Sequence, residues 1–172
     1  ILKNVLENDE IPAITTPYFN FFELDVLCRM GKLTEVLDKI RSYWGGMLDL
    51  GAVTFWEEYD PSVPKEEQYD MYGDHFGKSL CHAWAASPIY FLAKYFAGLD
   101  LVNKDGVTYI LKPQMQYFTE LDCTLPVGSN GVVRLVWDGE ILEITPNADG
   151  GILELGEQKL SLVRGETRRV KI

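Results

Sequence analysis

The sequence predicts an α+β chain: a helical part over residues 1–100, then a small antiparallel β-sandwich over 101–172. Three observations carry that division. Apolar residues recur at helical spacing up to about residue 98 and with a period of two beyond 106. Acidic side chains concentrate in the first part, which holds 16 acids against 8 bases, while the second holds 10 against 8. Glycine-centred turn signals punctuate only the second part at regular short intervals. The change falls in 98-GLDLVNKDG-106.

The first helix is announced by Thr16-Pro17, a cap followed by a proline at the first helical position, and is stopped by Gly31, a length of about 14 residues. Its segment YFNFFELDVLCRM is apolar nearly all round, which predicts burial between several neighbours. Leu33, Val36, Leu37, Ile40, Trp44, Met47 and Leu48 then follow at amphipathic spacing, with Thr34 available as a cap. The short Gly31-Lys32-Leu33 link predicts an antiparallel hairpin of these two helices. Gly45-Gly46 either ends the second helix or allows something to approach its backbone closely. A third helix fits 79-SLCHAWAASPIYFLAKYFAG-98, kinked or broken at Pro88. Further on, VTYILK, GVVRLVWD, EILEIT, GILEL and KLSLV read as strands. Asp105-Gly106, Ser129-Asn130-Gly131, Asp138-Gly139 and Asp149-Gly150-Gly151 divide them, for six or seven strands at most.

Composition excludes several functions. A formal charge of −10 repels phosphate backbones, so nucleic acid is not an expected partner. No apolar run reaches the roughly 18–20 residues of a membrane span. Cys28, Cys81 and Cys123 lack C-x-x-C spacing and suggest neither a disulfide framework nor a zinc site. Cys81 reads as a small buried apolar residue.

Chemistry concentrates in the long connection over residues 51–78, which holds seven acids together with Phe55, Trp56, Tyr59, Tyr69, Tyr72 and Phe76. Aromatic rings beside carboxylates suit a sugar, whose apolar faces stack while its hydroxyls need polar partners. An acidic surface loop anchored by a few rings is the plainer reading. In 51-GAVTFWEEYDP-61, Glu57 follows an apolar stretch that would hold its backbone against the protein body, the setting of a tuned general base. In an extended segment Glu58 would point the opposite way, towards water. His82, on the third helix, reads either as a core histidine or as a site residue. His75 is a metal candidate only if Asp70 and Asp74 converge on it.

Three stretches, 15-TTPYFNFFELDVLCRMG-31, 43-YWGGMLDLGAVTFWEEYDP-61 and 79-SLCHAWAASPIYFL-92, together resemble the C-terminal part of bacterial α-L-rhamnosidases of the six-hairpin glycosidase type. The resemblance implies the last helical hairpins of an (α/α)6 barrel followed by a small antiparallel β-sandwich. It implies Glu57 as the general base of an inverting hydrolysis, with His82, Trp56 and Trp44 lining the sugar site. It requires no metal or organic cofactor, and it makes a rhamnose-containing glycoside the expected partner. Inverting enzymes hold two carboxyl groups roughly 6.5–9.5 Å apart, and the family's general acid precedes this region. The chain is therefore expected to be a C-terminal fragment with little activity of its own, and surface exposed by truncation would favour oligomers. A carbohydrate-binding or purely structural module is the alternative.

Overall fold

A computed structural model describes residue 8 and residues 10–104, 107–129 and 131–172. It is a mixed α+β chain that divides into two compact units, the first ending at Ile89 and the second running from Tyr90 to Ile172. The division falls about ten residues earlier than the change in sequence period.

Helix α1 (Pro17–Arg29) has Thr16 at its N-cap with extended backbone but no side-chain capping bond. Its end is a complete Schellman motif. Gly31 takes φ +73°, its N–H donates to Cys28 O, and Lys32 N–H donates to Leu27 O at 2.9 Å. The helix is not buried all round as its composition predicts. Asn20, Leu24 and Cys28 form one buried stripe at four-residue spacing, while Phe19 and Phe22 are 56% and 51% exposed. Burial pushes the Cys28 thiol up to about 12, so it is no nucleophile.

α1 packs against α2 (Leu33–Lys39). Thr34 does not cap α2, because Lys32 occupies the N-cap and Thr34 falls inside the first turn. The helix widens into a π turn over Ile40–Trp44 and resumes as α3 (Gly45–Asp49). The glycine pair thus does not stop the helix. Gly46 permits a close approach, since a Cβ there would lie 2.4 Å from the Tyr59 hydroxyl, whereas Gly45 faces open space. The third predicted helix is largely displaced. Residues 79–82 are not helical, Ala83–Ala85 make a single 3-10 turn, and α4 begins only at Ser87 (Ser87–Phe91). Pro88 therefore sits in the first turn, where its missing N–H has no intrahelical partner to lose, and causes no kink. The helical unit is not itself an (α/α)6 barrel, and no helix among the described residues is long and apolar enough to cross a membrane.

Among the described residues the second unit holds eight strands, one more than the six or seven expected. They are β1 (Leu99–Lys104), β2 (Val107–Leu111), β3 (Leu121–Val127), β4 (Gly131–Trp137), β5 (Ile141–Pro146), β6 (Gly151–Leu155), β7 (Gln158–Leu162) and β8 (Arg168–Lys171). Two four-stranded sheets, ordered β1-β2-β6-β7 and β3-β4-β5-β8, share one core. Tyr109, Leu111, Leu153 and Leu162 come from the first sheet, and Leu125, Val133, Leu135, Leu142 and Ile144 from the second. The sandwich is not wholly antiparallel, because β2 and β6 pair in parallel. Strand β3 escapes simple reading because Pro126 interrupts it. The proline is tolerated because β3 lies on the sheet edge.

The Asp138-Gly139 turn forms as its sequence predicts, with the Asp138 carboxylate accepting from the N–H groups of Glu140 and Ile141 at 2.9 and 2.7 Å. The expected Asp105-Gly106 turn lies outside the described residues, as does Asn130 of the other.

At Gly151 a Cβ would lie 2.3 Å from the ring of Tyr109, which is fully buried. Gly151→Ala is expected to destabilise the β unit by about 1–3 kcal/mol, because the ring has no room to yield. Gly45→Ala, in open space on a helix, is expected to stabilise the chain by about 0.5–1 kcal/mol. Denaturant unfolding of both variants checks the contrast.

Candidate functional site

The connection over residues 51–78 is tied down at both ends by one short backbone pairing. Glu57 N–H donates to Ser79 O at 2.9 Å, and His82 N–H donates to Phe55 O at 2.8 Å. The Thr54 hydroxyl adds a bond to Leu80 O. His82 has an extended backbone because residues 79–82 run alongside 54–57 instead of winding into a helix. This pairing brings Glu57 and His82 together.

Between those ends the loop has its own small core. Trp56, 3% exposed, meets the edge of Tyr69 with ring centroids 5.6 Å apart. Gln68 is buried, and its amide donates to Asp60 O and Val63 O at 2.6 and 2.8 Å, turning the chain back on itself. Lys78 N–H donates to Tyr69 O, closing the excursion. Seven acids do not unravel this loop, since several are bound locally. Asp60, for example, accepts from the Ser62 N–H and hydroxyl, which hold its carboxyl below the usual range.

The two adjacent glutamates part company as the alternation predicts, but Glu58 does not face water. Its Oε1 accepts from the Thr15 hydroxyl at 2.9 Å, and its Oε2 lies 3.8 Å from the ammonium of Lys78, whose side chain is only 3% exposed. Glu58 is thus the partner of a buried cation, which cannot be left unpaired without cost. Glu57 is held differently. Its Oε1 accepts from the Tyr72 hydroxyl at 2.7 Å, and its Oε2 accepts from the Ser79 N–H at 3.0 Å. The Tyr72 phenol, followed by the Ser79 amide, holds its carboxyl below the usual range, with smaller help from His82 and Lys78.

Among the other expected site residues, His82 is half-buried beside Trp84, the ring planes near perpendicular at 5.8 Å. Trp56 and Trp44 are both buried, at 3% and 5% exposure. Trp44 donates its ring N–H to Ala85 O at 2.8 Å, fastening the second helical stretch to the 3-10 turn. It also borders a pocket of 220 Å³ with Met47, Leu48, Ala52, Val53, Thr54 and Phe55. His75 bonds Asp70, and the described residues contain no group of His, Cys, Asp and Glu arranged to hold a metal. Cys81 is exposed, contrary to expectation, because its segment is extended on the surface.

Two exposed rings on the His82 side, Trp84 and Tyr18, are ones that the sequence did not single out. Trp84 is 67% exposed and meets Tyr18 of α1 at 5.1 Å in a tilted arrangement, and Tyr18 in turn meets Phe22. Tyr72 is 78% exposed. The available signals were weak: Trp84 lies among small residues, and Tyr18 and Phe22 share one helical face. The arrangement offers a fixed, ionised carboxylate, an imidazole beside it, and exposed aromatic faces within one unit.

No family model matches the chain, and no curated protein matches it. The class that fold and site define is therefore an α+β chain whose helical unit carries a hydrogen-bonded carboxylate bordered by exposed aromatic rings.

The two glutamates should separate in stability. Glu58→Gln is expected to cost about 1–3 kcal/mol, because it strands the Lys78 ammonium. Glu57→Gln should cost less, about 0.5–1.5 kcal/mol, because it weakens two hydrogen bonds but leaves no buried charge unpaired. Denaturant unfolding at neutral pH measures both.

Proposed function

We propose that this chain is the C-terminal portion of an inverting glycoside hydrolase of the α-L-rhamnosidase type, in which Glu57 is the general base. The observation that supports this most is the double clamp on Glu57, from the Tyr72 hydroxyl and the Ser79 N–H, next to His82. A base for water must be ionised, fixed in aim and still able to accept a proton. A carboxylate taking one hydrogen bond on each oxygen meets all three conditions, because each oxygen retains accepting capacity.

In this reading His82 hydrogen-bonds sugar hydroxyls, while Trp84 and Tyr18 supply the stacking face that the buried Trp56 and Trp44 do not. The helices are the last hairpins of an (α/α)6 barrel. The apolar residues exposed along α1, Phe19, Phe22 and Val26, are then the edge that the remaining barrel helices cover. The second carboxyl, which protonates the leaving oxygen, stands on that other part. A carbohydrate-binding module is less well supported, because the aromatic residues within the β-strands, Tyr109 and Trp137, are buried and offer no platform for stacking.

In the complete hydrolase, Glu57→Gln is expected to lower turnover of an aryl α-L-rhamnoside by on the order of 10²–10⁴-fold; retention within tenfold removes Glu57 as the base. In the 172-residue chain itself, titration with L-rhamnose followed by amide NMR should move signals of residues 54–57, 72 and 79–84. Shifts confined to the strands would favour the binding module. Trp84→Ala should weaken that binding by roughly 2–10-fold, the worth of one aromatic stacking contact.

A further inference from the structure

Residues 71–74 form a two-residue hairpin in which Met71 and Asp74 exchange both backbone hydrogen bonds, at 3.1 and 3.0 Å. Its central residues, Tyr72 and Gly73, both have positive φ, at 56° and 77°. This is the type I′ geometry, whose first central position favours Asn, Asp or Gly. A tyrosine there is disfavoured, because its Cβ crowds the backbone in the left-handed region.

Packing does not account for the choice, since Tyr72 is 78% exposed. What the strained turn achieves is delivery of one atom. The Tyr72 hydroxyl reaches back fifteen residues to donate to Glu57 Oε1 at 2.7 Å. We infer that Tyr72 is a positioning residue for Glu57, held in a left-handed turn so that its phenol fixes the carboxylate's orientation and keeps it ionised. The inference rests on Glu57 being the functional carboxylate of the reading above, and it names the residue that sets that group's working pH.

The surroundings of Glu57 fit this role. The groups facing it are the Tyr72 phenol, the Ser79 N–H, His82 and Lys78, all of which favour the charged form. Glu58 is turned to Thr15 and Lys78. The hydrogen bond to Glu57 in turn raises the Tyr72 phenol, so the hydroxyl is a donor at neutral pH. With one donor on each oxygen the carboxylate cannot rotate freely, and removing the phenol frees one end while leaving the Ser79 bond.

The sign of the pH dependence follows. The folded value of Glu57 lies below its unfolded one, so its contribution to stability is complete above the unfolded value and is lost as pH falls through the folded value. Loss of the phenol moves that window upward.

The test is a carboxyl-carbon NMR titration of the 172-residue chain labelled at glutamate, with Glu57 assigned by its absence in Glu57→Gln. The Glu57 midpoint should lie below the ordinary glutamate value and should rise in Tyr72→Phe. Tyr72→Asn removes the phenol but suits the turn, so it should raise the same midpoint while keeping the hairpin. An unchanged midpoint in both variants overturns the inference. In the complete hydrolase, the acid limb of aryl rhamnoside turnover should move up in Tyr72→Phe. If the NMR midpoint moves and that limb does not, Tyr72 still positions Glu57, and the assignment of Glu57 as base falls instead.

Discussion

The helical unit depends on one short backbone pairing, that of residues 54–57 with 79–82. Its two backbone bonds convert a connection of more than twenty residues from an entropic cost into an ordered loop. They also place Ser79 N–H against Glu57 and bring His82 to the same side. Residues 79–82 would otherwise continue a favourable helical pattern into α4. The backbone partners offered by 54–57 take the place of those of a helix.

That pairing sets a division of labour among the aromatic residues. Trp44 and Trp56 are buried and fasten neighbouring segments, one through an indole bond to Ala85 and the other through an edge contact with Tyr69. Tyr72 and Trp84 are exposed, the first with its hydroxyl bonded to Glu57 and the second with its ring beside Tyr18. Adjacent glutamates are sorted by the same geometry. Glu58 turns to a buried lysine, and Glu57 lies between the Tyr72 and Ser79 donors. Charge burial and exposure thus separate two residues that composition treats alike.

The β unit owes its form to simpler constraints. Alternation places one face of each strand in a shared core, and glycine at 151 lets the Tyr109 ring lie across the backbone of β6. The edges are managed locally: Pro126 lies in the edge strand β3, and β8 carries Arg168, Arg169 and Lys171. Both features discourage further pairing with a free edge.

Much of this was determined by the sequence alone, wherever the cause was local. The α+β division, the limits of α1 with Gly31 in its Schellman cap, five of the eight strands and the Asp138-Gly139 turn all follow from residue spacing and backbone preference. The opposed directions of Glu57 and Glu58 follow from alternation. Tertiary structure decided what depends on contacts distant in sequence. Residues 79–82 were drawn out of a helix by residues 54–57, β2 took β6 as a parallel neighbour, and Lys78 claimed Glu58. Tyr72 adopted a left-handed turn that no propensity would assign to it, for a hydrogen bond fifteen residues away. Local pattern cannot report these choices, because each exchanges a small local preference for a bond available only after the chain has folded.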